Sequence, residues 1–409
     1  MLTLLRVLEN RTDMNIILHA MSCALVMSIR MVGLLMPLLT VVGFFLTRKN
    51  EYTERRKTEM QICIFLLIWI AGTMLLWPLL WDEPLKNFLD AYKNMSTKEP
   101  GGFYFGKNET GMPWHWIPVW MFISTPIVYT LFFLTGLQRY ASLFRRSTLA
   151  TLSHRRNEIL FLLWLLIPTT MIMVGFGNIF DTWRHVFFVY PAFLLISLEG
   201  IRSIPKLVSS FTEKWNEIAQ RIAYGALALS IVLTTGWMVI SHPLQYVYFS
   251  IPRAWAEGNF ELDYWGLAYT QAFEYILELD DSDIIPVIVT GSSGITNINM
   301  LKPEQRSHFI FVGKNEDAKY ALDNFRKHQY EQGYLSITKI HSIYAGNIEV
   351  LGVYKNPNWN INMFDDLTKF QETRTNDLLF YFGEYFMDAS DADYAEPLND
   401  IMKLYFEVP

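Results

Sequence analysis

Charge and cysteine are both scarce in this chain. Only 18% of its 409 residues are charged, below the roughly 25% of ordinary globular proteins. Its two cysteines, Cys23 and Cys63, both sit in apolar runs, so a disulfide framework is excluded and each reads as a small core hydrophobe. No Gly-rich phosphate loop is present, because the GSSG at 291–294 lacks the lysine and spacing of a Walker motif. A Cys/His metal cluster and a Gly-x-Ser-x-Gly nucleophile elbow are missing as well. The first fifteen residues carry Arg6, Glu9, Arg11 and Asp13 with no small-residue cleavage site, which argues against a cleavable signal peptide. With 51% hydrophobic residues and a net charge of −6, neither a disordered chain nor a nucleic-acid binder fits.

Mean hydropathy is only +0.17, modest for a membrane protein, and the charge distribution explains the average. From Ile251 onward there are 25 acids and 12 bases, a charge of −13; residues 1–250 hold 15 acids and 22 bases, a charge of +7. A basic half joined to an acidic half indicates two environments for one chain.

Spanning helices need about 20 mostly apolar residues. Candidate runs are Met31–Thr47, Met60–Leu80, Ile117–Leu137, Ile159–Phe176, His185–Leu198 with its flanks, and Ile222–Ser241. A seventh, Asn15–Ile29, is short and ends on Arg30. The expected fold is therefore a polytopic α-helical membrane domain of six or seven crossings over residues 1–250. Orientation follows from the loops: Arg48, Lys49, Arg55, Arg56 and Lys57 crowd one, Arg139, Arg145, Arg146, Arg155 and Arg156 a second, and Arg202, Lys206, Lys214 and Arg221 a third. The positive-inside bias places these three in the cytoplasm. The 82–116 loop, the 177–184 loop and everything after His242 then lie outside, and a crossing by Asn15–Ile29 sets the N-terminus inside.

Residues 251–357 read as a small extracytoplasmic α/β domain. DIIPVIVTGSSG at 283–294 is an apolar strand running into a Gly/Ser turn; Phe309–Val312 and Ile348–Tyr354 are further strands, and Lys319–Gln332 is expected as a helix between them. Residues 358–409 form an acidic, aromatic tail without clear periodicity.

Polar chemistry gathers on the outward side. Arg30 lies between two apolar runs, where a lipid phosphate contact and a snorkelling helix-end arginine are both open. Asp181, Thr182, Trp183, Arg184 and His185 occupy a short turn between membrane helices. Arginine offers a fork for phosphate oxygens and histidine a proton near neutral pH, whereas Asp181 paired with Arg184 would be a plain interface cap. His115 stands in PWHWIPVW at 113–120, whose tryptophans are ordinary interfacial anchors. Asp82 and Glu83 form an acidic pair past a helix end, open to metal or base chemistry or to simple solvation.

Five stretches carry a family resemblance: MSIRMVGLL at 27–35, PWHWIPVWMFISTP at 113–126, DTWRHVFFVYP at 181–191, HPLQYVYFS at 242–250 and ELDYWGLAYTQAFEYI at 261–276. In order and spacing they resemble the C-type membrane glycosyltransferases of the protein O-mannosyltransferase and aminoarabinose-transferase type, from about residue 15 to about residue 355. The resemblance implies an integral protein of a bacterial inner or plasma membrane. Such an enzyme passes a sugar from a polyprenyl-phosphate carrier to a glycan, lipid or protein acceptor outside the cytoplasm. Positive groups or a divalent metal stabilise the departing phosphate. Arg184 and His185 match the family's turn near the carrier phosphate, and Arg30 matches a basic residue lining the same cavity; Asp181 and His115 are further candidates for the carrier phosphate or its sugar, His115 being equally readable as a structural histidine. The family's catalytic acidic loop follows a first membrane helix that would precede residue 15, so no catalytic base is carried over and the chain is expected to begin within the family's membrane domain. Three functions stand open: a C-type glycosyltransferase, a noncatalytic membrane subunit, and a transporter of lipid-linked sugars.

Overall fold

The computed structural model describes residues 1–48, 51–96, 101–145, 154–174, 179, 181–209, 216–312, 317–326 and 338–359; the acidic tail from residue 360 onward lies outside the described residues. Two compact units emerge, one of Met1–Tyr264 with Ala345–Ile348, the other of Trp265–Tyr344 with the residues from Glu349 on.

The first unit is helical. It contains α1 (Leu2–Glu9), α2 (Asp13–Ile29), α3 (Leu35–Leu46), α4 (Tyr52–Leu76), α5 (Pro84–Ser96), the hairpin β1 (Gly102–Tyr104) and β2 (Lys107–Glu109), α6 (Trp116–Ile123), α7 (Ile127–Arg145), α8 (Arg156–Met173), α9 (Tyr190–Ser209), α10 (Asn216–Ile240) and α11 (Arg253–Asn259). Four segments are long and apolar enough to cross a membrane: Tyr52–Leu76, Arg156–Met173, Arg184–Pro205 and Asn216–Ile240. Two shorter apolar segments, Asp13–Ile29 and Met31–Leu46, accompany them. Exposed Ile222, Val232, Leu233, Val239 and Ile240 cover α10. An apolar face this continuous suits lipid and not water.

The Ile117–Leu137 run is not one helix. It divides into α6 and α7 at Ser124, Thr125 and Pro126. Proline has no amide hydrogen to continue the ladder and biases the preceding residue away from helical dihedrals. The exposed carbonyls are taken up within the protein: the Ser250 amide donates to Ile123 O at 2.7 Å, and the Ser250 hydroxyl donates to Phe122 O and to Ile123 O, each at 3.1 Å.

Two helix pairs organise the interior. In one, α2 packs on α4 around Ile16, Ala20, Cys23 and Phe65. The other joins α7 to α9 so closely that their glycines meet backbone: a Cβ on Gly136 would lie 2.1 Å from Ile196 O, and one on Gly200 would lie 1.9 Å from Phe132 O. Small residues permit such approach between membrane helices. One core cluster brings Trp116 and Trp120 of α6 together with Phe133, Trp183, Phe193 and Phe260.

The second unit contains α12 (Ala268–Leu279), β3 (Ile285–Val289), α13 (Ser292–Asn297), α14 (Pro303–Arg306), β4 (Phe309–Phe311), β5 (Tyr320–Asn324), β6 (Thr338–Ala345) and β7 (Ile348–Lys355). The strands form a five-stranded sheet of order β4-β3-β5-β7-β6, parallel across β3–β4 and β3–β5 and antiparallel across β5–β7. β3, β4 and β7 fall where the apolar runs placed strands. The helix expected over Lys319–Gln332 is corrected: Tyr320–Asn324 is a strand, all five residues buried, and 327–332 lie outside the described residues. Pairing on both edges and full burial override a local pattern that a short apolar run cannot settle by itself.

Candidate functional site

The turn at 181–184 is unusual at its backbone. Asp181 and Thr182 adopt φ of 53° and 67°, a left-handed conformation uncommon outside glycine. Two indoles pin it, Trp116 Nε1 donating to Thr182 O at 2.8 Å and Trp183 Nε1 donating to Ser124 Oγ at 2.8 Å. The geometry turns the Asp181 carboxylate inward, where Arg184 Nη2 donates to Oδ2 at 2.5 Å. Side-chain exposures of 8% for Asp181 and 21% for Arg184 leave the guanidinium the more open partner. Arg184 also lies over the Tyr264 ring, 5.7 Å from its centroid.

Beside this turn lies a cavity of about 360 Å³. Thr182 and Trp183 form part of its wall, with Trp120 of α6, Tyr190 of α9, Trp237 of α10, and Gln245, Tyr246, Tyr248, Glu261 and Tyr264 from the segment after α10. Within that segment Tyr246 OH donates to Asp263 Oδ1, and Asp263 and Glu261 are almost fully buried. The indole N–H of Trp120, itself 1% exposed, finds no hydrogen-bond partner among the described residues. The outcome is an aromatic box with hydroxyl, amide and carboxylate groups in its wall, suited to a ligand that has both flat apolar faces and polar edges.

Of the residues singled out in the sequence, Asp181, Arg184 and half-buried His185 share this turn. His115 stands one position before Trp116, which holds the turn, but its ring serves Tyr104. The two are 2.7 Å apart through Tyr104 OH and His115 Nδ1, with their rings stacked at 5.6 Å. Burial, aided by the Glu109 carboxylate, raises the Tyr104 phenol above its ordinary range. Tyr104 reaches this place because the β1–β2 turn passes through Phe105 and Gly106 at φ of 49° and 74°, the left-handed pair of a tight hairpin. Arg30 is elsewhere: it caps the C-terminal end of α2, exposed, with its amide on Val26 O at 3.1 Å. Asp82 and Glu83 are exposed, and Glu83 pairs with Lys86 at 2.6 Å.

Tyr246, Glu261 and Asp263 went unremarked as individual residues in the sequence, although each lies inside a stretch that carries the family resemblance. Their signal was the placement of carboxylates and phenols among aromatics just past the last membrane run. Among the described residues no three His, Cys, Asp or Glu side chains gather as a metal site. Asp181 and Asp263 are engaged by Arg184 and Tyr246, so the residues present do not make a divalent-metal pocket and no step is assigned to one. Comparison with protein-family models, curated proteins and solved structures finds no match.

Proposed function

We propose that this chain is the carrier-binding part of a membrane glycosyltransferase that takes a sugar from a polyprenyl-phosphate donor on the extracytoplasmic side. The observation that supports this best is the position of Arg184. Its guanidinium stands between the buried Asp181 carboxylate and the ring of Tyr264, and Tyr264, with Thr182 and Trp183 of the same turn, lines an aromatic cavity sized for a sugar ring and its phosphate. Aromatic faces receive the apolar face of a pyranose, and the Gln245, Tyr246 and Glu261 side chains meet hydroxyls.

Topology agrees. α9 begins and α10 ends beside the cavity, while the basic residues Arg202 and Arg221 belong to the opposite ends of the same two helices. The positive-inside bias then puts the cavity at the outer face. With α2, α3 and the α6–α7 pair, the four long segments complete six or seven crossings, and the sheet-bearing unit lies outside the cytoplasm. In the transfer, an acceptor oxygen bonds to the anomeric carbon and the phosphate leaves with the bonding pair. Arg184 stabilises that departing charge. The acceptor proton needs a base, and none is assigned among the described residues.

A second reading, a noncatalytic subunit that only holds the carrier, is favoured by the engagement of Asp181 and Asp263. One experiment separates the two. Purified chain in vesicles is given radiolabelled polyprenyl-phosphate sugar, and binding and sugar release are measured separately. Wild type binds; Arg184→Ala loses binding, as does Asp181→Asn with Arg184→Gln, which removes the buried charge and its partner together. Unchanged binding in a folded double variant refutes the carrier assignment. Binding without release, even after the product of any adjoining upstream reading frame is added, favours the subunit.

A further inference from the structure

A second gathering of positive charge lies far from the cavity along the helices. Arg11, in the turn between α1 and α2, donates through Nη1 to Thr58 Oγ1 at 3.0 Å and through Nη2 to Thr47 Oγ1. Its guanidinium lies 4.8 Å from the centroid of the Phe44 ring. Arg156, the first residue of α8, donates through Nη1 to Leu8 O at 2.9 Å, in the last turn of α1. Residues 8, 11, 47, 58 and 156 therefore draw together one end of each of five helices, α1 to α4 and α8. Both arginines are half-buried, and the charge of Arg156 is felt at Arg11. The hydrogen-bond partners of both are hydroxyls and a carbonyl. Among the described residues no carboxylate comes within ion-pair distance of either; Glu54 acts on Arg11 only through space. Burial and the Arg156 charge pull the Arg11 pKa down, against Glu54.

One guanidinium is anchored on Leu8 O and the other belongs to Arg11, three residues further along the same turn; the two charges repel with no acid at ion-pair distance among the described residues, and each still has unused donors in its fork. Threonine hydroxyls fix the orientation of Arg11 without neutralising it. An anion with several oxygens relieves the repulsion and takes up the spare donors, which a single carboxylate on one arginine would not. The helix ends belong to the face that carries Arg48, Arg55 and Arg155, so the pair sits at headgroup level, where an inner leaflet presents anionic phosphate.

We propose that Arg11 and Arg156 form a phosphate-binding site at the basic-loop face of the membrane domain, filled by the headgroup of an anionic phospholipid. It uses none of the cavity residues and does not depend on the glycosyl-transfer proposal.

The test uses the whole chain in nanodiscs of phosphatidylcholine with or without phosphatidylglycerol, with retained lipid counted by native mass spectrometry and thermal stability measured alongside. Wild type retains phosphatidylglycerol in preference to phosphatidylcholine and melts higher in its presence. Arg11→Gln with Arg156→Gln retains roughly tenfold less, as expected for the loss of two charge-assisted contacts. Arg221→Gln, at an exposed position, behaves as wild type. Inorganic phosphate distinguishes the sources. If it stabilises wild type but not the double variant in phosphatidylcholine alone, and displaces the lipid, the pair is a site for soluble phosphate; if it does neither, the headgroup is the ligand. Equal retention by wild type and a folded double variant overturns the proposal. Should the double variant not fold, Arg11→Lys with Arg156→Lys keeps the charges and is expected to retain the lipid. Indifference of the wild type to both phosphatidylglycerol and phosphate overturns it without any variant.

Discussion

Replacing Gly200 by alanine tests the central helix contact with a single methyl group. An added Cβ would stand 1.9 Å from Phe132 O, 2.5 Å from Thr135 Oγ1 and 2.8 Å from Gly136 N. Ordinary carbon–oxygen contacts begin at about 3.3 Å, so α9 must withdraw from α7 by about 1.4 Å locally. The obstacle is backbone, which no rotamer change can clear. Overpacking of this kind costs about 3 kcal/mol, at the upper end of the usual range. For a unit of this size that lowers the melting temperature by roughly 6–12 °C. Gly225→Ala supplies the internal comparison: it lies within α10 with nothing within 4 Å of a Cβ. Relief of glycine's backbone entropy there should raise stability by up to about 1 kcal/mol. The assay is thermal unfolding of both variants in the same detergent, followed by tryptophan fluorescence. Tyr190 and Trp183 lie at the start of α9 and beside it, so the shift also deforms the cavity, and ligand affinity should fall with stability in Gly200→Ala alone. A Gly200→Ala protein that melts as high as wild type would refute the close packing of α7 on α9.

The second unit makes a pH prediction. Asp280 is half-buried, and the partial loss of water alone would raise its pKa, but hydrogen bonds from Lys319, Ser282 and Tyr320 hold it at about 2, below the ordinary 3.8. A depressed carboxylate contributes stability that is complete above pH about 4 and lost as the pH falls toward 2, here about 1 kcal/mol once screening by solvent at a half-buried site is taken off. Lys319→Met leaves that carboxylate without its 2.6 Å partner, costing about 3 kcal/mol and moving the acid-unfolding midpoint, read by circular dichroism, to higher pH. Trp116→Phe keeps the aromatic packing but strands the Thr182 carbonyl; a loss of about 1–2 kcal/mol is expected, with weakened ligand binding, whereas Trp114→Phe, at 66% exposure, should change neither.

Apolar length was the most legible property of the sequence. The Met60–Leu80 and Ile222–Ser241 runs point to α4 and α10, yet α4 extends back to Tyr52, because backbone hydrogen bonding does not stop where hydrophobicity does. The break at Pro126 was invisible to a count of apolar residues and lay instead in the Thr125–Pro126 dipeptide. The strand at Tyr320–Asn324 was missed because its identity comes from its neighbours β3 and β7, not from its own period. At the site, the Asp181–Arg184 pair followed from three-residue spacing, a separation short enough for side chains to meet within one turn. Glu261 and Asp263 could not be matched to that turn, since some eighty residues of chain separate them and only the packed structure brings Tyr264 over Arg184.

The interruption between α6 and α7 also constrains how this sequence can change over time. Ser124 accepts the Trp183 indole and itself donates to Trp120 O at 2.6 Å, while Ser250 serves the two carbonyls just before it. Three segments distant in sequence thus meet at one knot of hydrogen bonds. Replacing Ser124 strands the Trp183 indole, and replacing Ser250 takes a donor from the Phe122 and Ile123 carbonyls. Positions 124 and 183, which bond each other through their side chains, are therefore expected to vary together or not at all. A lone replacement at one is tolerated only after a compensating change at another, so the order in which mutations arrive matters as much as their identity.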